Sequence, residues 1–98
     1  MSARFEWDAG KANANERKHG VGFEEAISVF ADPLARIFDD EAHSLGEHRE
    51  FIIGHSDRNR LLIVSFTERS GSVRVFGARQ ATKRERRDYE ENANIHIA

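Results

Sequence analysis

Phe51-Ile52-Ile53-Gly54-His55-Ser56-Asp57-Arg58-Asn59-Arg60-Leu61-Leu62-Ile63-Val64 is the stretch whose reading decides the fold. Two compact apolar runs, 51–53 and 61–64, stand on either side of the polar residues His55 to Asn59. They read as an antiparallel hairpin, and their unbroken apolar character predicts strands covered on both faces at their centres. Val73 to Phe76 follows after the Ser70-Gly71 turn as the next strand. Upstream, Arg36-Ile37-Phe38 reads as a strand and Asp39 to Glu47 as a polar loop. Downstream, Thr82 stands three residues before Glu85, a capping box that opens a helix at about Lys83.

The N-terminal third reads as helical. Phe23, Ala26, Ile27 and Phe30 fall at the spacing of one helical face. Asp32-Pro33 ends that helix, because the residue before proline is pushed out of the helical region. Gly20 is the left-handed stop of an earlier helix, capped by Asp8 and running to about His19, with a thin apolar side of Ala9 and Ala12. Ala3 to Trp7 reads as a short first strand with Phe5 and Trp7 on one face. The order β-α-α-β-β-β-β-α is an α+β fold, an antiparallel sheet of about four strands with two N-terminal helices and one C-terminal helix.

With 98 residues the chain is expected to be a single domain over 1–98. Hydrophobic residues make up 39% and charged residues 33%, a balance that suits a soluble globular protein and excludes a disordered one. There is no cysteine, so neither a disulfide framework nor a thiolate metal site can form. No apolar run resembles a signal peptide or a membrane span, and a cytoplasmic location is expected. The net charge of -2 argues against a protein that coats nucleic acid, yet the charge is unevenly spread. Arg74, Arg79, Lys83, Arg84, Arg86 and Arg87 stand against Glu85 alone between 74 and 87, which suits either a focused anion site or a solvated helix face.

Longer motifs carry a resemblance. Phe5-Glu6-Trp7-Asp8, Lys11, Asn15, Lys18-His19-Gly20-Val21 and Phe23-Glu24-Glu25-Ala26 are followed by Val29-Phe30 and Asp32-Pro33. Then come His43-Ser44, Glu47, Arg49, Ile53-Gly54 and Arg60. The set closes with Thr67-Glu68-Arg69, Arg74, Ala78-Arg79, Ala81-Thr82, Glu85-Arg86 and Tyr89-Glu90. Together they resemble the BrnT family of toxins over residues 5 to 90. One departure is Gly77, where the family commonly has serine before the Ala-Arg pair. The resemblance implies a RelE-like fold and a metal-independent endoribonuclease without cofactor. It also implies an RNA substrate and a BrnA-like ribbon-helix-helix antitoxin, through which alone the protein would meet DNA. A non-catalytic RelE-like module that binds a DNA-binding partner is the alternative, since a fold does not specify an activity.

Cleavage without metal needs a base, an acid and positive charge on the phosphorane-like transition state. Arginine suits the last role because its planar fork grips phosphate in two places. Arg49 and Arg79 are the expected stabilisers. Arg79 ends the last strand just before a helix N-terminus, and the rival reading pairs it with an acid such as Glu85. His19, Glu47 and Tyr89 are catalytic candidates, among acids and bases that also include His43, His48, His55 and Glu68. His19 equally suits a helix C-terminus, and Tyr89 shares a helix face with Glu85. Arg60, Arg69, Arg74, Lys83 and Arg84 are expected to bind RNA. Trp7 either stacks on a base or belongs to the core. His43, His48 and His55, spaced by five and seven residues, match no compact zinc motif, so no metal site is expected.

Overall fold

The computed structural model describes residues 4–97. Its elements are β1 (Arg4–Glu6), α1 (Ala9–His19), α2 (Phe23–Ser28), β2 (Arg36–Asp39), β3 (Arg49–His55), β4 (Leu61–Arg69), β5 (Ser72–Gln80) and α3 (Lys83–Glu90). The helices form where their ends are signalled. Asp8 accepts the Lys11 N–H at 2.8 Å, and Gly20 closes α1 at φ 69°, a backbone region that favours glycine. The capping box of α3 is formed in both directions between Thr82 and Glu85.

The sheet has five strands in the order β1-β5-β4-β3-β2, not the four antiparallel strands expected. β1 pairs in parallel with β5, while β2 to β5 are antiparallel neighbours. Because most of the chain separates β1 from β5, no tight turn dictates their direction, and a long crossover permits the parallel arrangement. Ala3, placed in this strand by the sequence reading, lies outside the described residues. The helix expected to continue through Phe30 tightens into a 3-10 turn at Val29–Ala31, and Asp32 is extended ahead of Pro33.

Side-chain alternation divides the strands between two apolar clusters, as strands covered on both faces require. Ile52, Leu62, Val64, Phe66, Val75 and Ala78 pack under α2 with Val21, Phe23, Ala26 and Val29. Ile53, Leu61 and Ile63 point the other way and are covered by Tyr89 of α3 and by Ile95 and Ile97 of the tail. Gly54 is where the 29–35 segment crosses β3, since a Cβ there would lie 2.8 Å from that of Ala35. Against β5, the register shifts between Ser65 and Phe66, which leaves Phe76 as the extra residue of a β-bulge.

Candidate active site

The α3 face of the sheet is only partly covered. Beyond Ile97 it opens as a cleft of about 210 Å3 whose floor is Phe51, Ile63, Ser65 and Gly77 and whose wall is Asn15 and His19 of α1. Arg79 also lines it. Asn15 holds the wall in place. Its amide nitrogen donates to the carbonyls of Val21 and Ala78, each at 2.9 Å, and its oxygen accepts the Ala78 N–H at 3.1 Å. The side chain thus supplies β5 with the pairing that a neighbouring strand would give, just past the point where β1 stops.

Arg79 makes a two-pronged pair with Glu85, Nη1 to Oε1 at 2.8 Å and Nη2 to Oε2 at 2.9 Å. Glu85 is 1% exposed and Arg79 25%. The Glu85 hydrogen bonds raise the Arg79 pKa above its ordinary value, against the effect of burial. Arg79 is therefore a fixed cation at the cleft edge, held on the side turned to Glu85. The rival reading, a pair with Glu85, is present in the geometry, and both readings now concern one guanidinium.

Arg49 lies on the same face of the sheet, but not beside Arg79. Arg49 is opposite Thr67, and Ile53 is opposite Ile63, itself opposite Arg79. Four residues along a strand are about 13 Å. The Arg49 guanidinium sits 4.0 Å from the Phe76 ring centre, and its buried Nε has no hydrogen-bond partner. Lys11 Nζ lies 5.6 Å from the same ring. Arg74, one rung across from Arg49 through Thr67, brings a third cation to this end, with Glu6 at 3.8 Å. Glu47 is bound by Arg69 at 2.9 Å and lies 3.9 Å from Arg49, so it braces the group instead of facing the cleft.

Other candidates are drawn elsewhere. Tyr89 donates its hydroxyl to the Leu34 carbonyl at 3.0 Å and packs edge-on to His55. Burial, then the charge of Asp32, raises its pKa, and the side chain anchors α3 without lining the cleft. Arg60 binds Glu25 and the Gly20 carbonyl. Hydrogen bonds from Arg60 hold the Glu25 carboxyl below its ordinary range. Trp7 packs edge-on to Phe23, 5.9 Å between ring centres, in the α2-side cluster on the opposite face. A second hollow near it, about 320 Å3, is lined by Glu16, Glu24 and Glu25 with Arg58, a charge balance that repels RNA. Lys83 and Arg84 are exposed on the first turn of α3.

The three histidines do not assemble. His43 pairs with Asp40, His55 lies against Tyr89, and His48 meets Asp39 and Glu50, cross-strand partners on β2 and β3. One ligand atom from each of Asp39, His48 and Glu50 falls within 4.8 Å of the others, in a group that does not line the cleft. Sequence reasoning placed Lys11 and Asn15 in the family motif and Phe51 and Phe76 in strands, but assigned none of them, nor Ser65, to the site. The alternation that puts Val64 and Ala78 in the core implies that Ser65 and Gly77 face the other way, but no local signal marks the bulge at Phe76.

The fold is thus α+β, with a small cleft at Arg79 and two further cations, Arg49 and Arg74, on the same face of the sheet. The model of the ribonuclease toxin BrnT of type II toxin–antitoxin systems matches residues 7–85. The chain belongs to the BrnT family. The fold is similar to the 1.1 Å crystal structure of the Brucella abortus ribonuclease toxin BrnT, with a TM-score of 0.66 and 22% identity over 84% of this chain and 100% of that one. No curated protein matches the sequence. Membership implies an RNA target and a protein antitoxin. Among the described residues no helix is long and apolar enough to cross a membrane.

Proposed function

We propose that the chain is a metal-independent endoribonuclease, a single RelE-like toxin domain neutralised by a BrnA-like ribbon-helix-helix antitoxin. The observation that carries the reading is the cleft that His19 of α1 and Arg79 of β5 both line, over a floor that includes Phe51, Ser65 and Gly77. In this reading the RNA 2′-hydroxyl attacks the adjacent phosphorus. The 2′-oxygen–phosphorus bond forms as the bond from phosphorus to the 5′-oxygen breaks, leaving a 2′,3′-cyclic phosphate and a 5′-hydroxyl. His19 takes the proton from the 2′-hydroxyl and returns it to the departing 5′-oxygen, and Arg79, oriented by Glu85, faces the developing charge. Phe51 offers an apolar surface for a base, while Arg49 and Arg74, on the same face, hold phosphates further along the strand.

The two-pronged grip of Glu85 on Arg79 is also what a purely structural ion pair looks like, and it favours the second reading, a non-catalytic module. End-labelled RNA incubated with purified protein and excess EDTA separates the two. Fragments ending in a cyclic phosphate, lost when the scissile 2′-hydroxyl is replaced by hydrogen, support the nuclease. Cleavage that requires added magnesium or zinc, or leaves 5′-phosphates, overturns the mechanism. No cleavage by the soluble, folded chain favours the module.

A further inference from the structure

The sheet ends at β2, and that edge is unlike the rest of the surface. The exposed large apolar side chains among the described residues are Leu34 (76%), Ile37 (54%) and Leu45 (98%), all on β2 or in its flanking loops. Natural edges are usually blunted by charge or proline, and exposed apolar groups beside an open edge mark a contact surface. The opposite edge, β1, has only three residues and no exposed large apolar side chain.

Backbone geometry at β2 is open as well. The Asp40 N–H donates to the Arg49 carbonyl at 2.9 Å, so by antiparallel alternation residues 36, 38 and 40 face β3. Ile37 and Asp39 then turn their own N–H and C=O groups outward. The surrounding charge is acidic. Asp39 on β2 and Glu41 just after it are exposed, and Glu50 stands opposite Asp39 on β3, against Arg36 on the strand itself. That rim disfavours RNA and favours a basic partner.

We propose that the β2 edge receives an extended basic segment of the chain's protein antitoxin, which adds a strand to the sheet while its apolar side chains meet Leu34, Ile37 and Leu45. The proposal rests on membership of a toxin–antitoxin family and not on the assignment of catalytic residues. β3 and β4 separate this edge from Arg79 on β5, and neither Ile37 nor Leu45 lines the cleft, so antitoxin binding and RNA cleavage are separable by mutation at these positions.

The test uses the full chain and its cognate antitoxin, with affinity measured by calorimetry. Ile37→Pro removes an outward N–H without touching the β3 ladder, and Ile37→Lys sets a cation against the basic segment. Each is expected to weaken binding about tenfold or more, with RNA cleavage by the free toxin unchanged. Where Ile37→Pro does not fold, Ile37→Lys combined with Leu45→Lys carries the test. Parental affinity in the folded variants overturns the proposal, as does a parent toxin that does not bind. Self-association of the parent that Ile37→Lys abolishes assigns the edge to a second copy and overturns it too. RNA cleavage by the parent alone reports on the nuclease reading separately.

Discussion

Glu85 holds Arg79 with both carboxylate oxygens, and one of them, Oε1, also accepts the Thr82 N–H at 2.8 Å. The residue that caps α3 is therefore the residue that orients the cation of the cleft. Start of helix and site of charge are one construction, so no substitution at Arg79 can be purely catalytic.

Arg79→Ala is expected to lower stability as well as cleavage, because it leaves a buried carboxylate without its cation. With Arg79 25% exposed, the cost is about 2–3 kcal/mol, below that of a fully buried pair, or about 10–20 °C in Tm. Adding Glu85→Gln removes the stranded charge and should restore most of the Tm but none of the activity. Arg79→Lys keeps the charge without the fork and should restore activity partly. Melting curves beside cleavage rates decide it: parental cleavage by the double variant removes Arg79 from the mechanism.

His19 is exposed at the end of α1, so its loss should spare the fold. His19→Gln is expected to change stability by less than about 1 kcal/mol, the scale of a cation at a helix C-terminus. Cleavage should fall about 10²–10⁴-fold. Urea titrations with single-turnover kinetics measure both, and unchanged kinetics would return His19 to a helix-end role.

Asn15 makes three hydrogen bonds that need both halves of its amide. Asn15→Asp loses the donor and sets a carboxylate against the Val21 and Ala78 carbonyls, at a cost of about 1–3 kcal/mol. Because Asn15 sets where α1 lies against β5, cleavage should fall as well, while Asn13→Asp, on the same helix, should do neither. Urea unfolding of the two variants side by side is the measurement.

Acid should destabilise the protein through Glu25 and Asp32. Both carboxyls are held below their ordinary range, Glu25 chiefly by Arg60 and Asp32 chiefly by the His55 N–H. A depressed pKa contributes stability that is present above the unfolded value and lost as pH falls through the folded one, so the loss should begin near pH 4 and deepen below it. Glu25→Gln should lower stability at pH 7 and flatten this acid limb. A parallel pH profile for parent and variant would show that Glu25 does not drive it.

The order of elements was legible because its signals are local: Asp8 and Gly20 bracket α1, Thr82 and Glu85 open α3, and two apolar runs make β3 and β4. The parallel β1–β5 pairing was not, since three residues carry little pattern and their partner is nearly seventy residues on. The strands outrun their apolar cores, β3 back to Arg49 and β4 out to Arg69, because ladder bonds do not depend on side-chain polarity. In the candidate site, family motifs pointed to His19 and Arg79, which share a cleft. Tyr89, Trp7 and Arg60 are equally polar or aromatic in sequence, and only the fold shows that none of them lines that cleft. Phe76 was unreadable because a bulge is a property of two strands in register, not of one sequence.

The Asn15–Ala78 clasp also has a consequence in time. Its halves are 63 residues apart, and β1 waits for the same strand. On a ribosome, which releases the chain from its N-terminus, α1 has no surface to settle on until β5 has emerged. His19 and Arg79 therefore come to line one cleft only after β5 has left the ribosome. A chain interrupted before β5 has no assembled cleft.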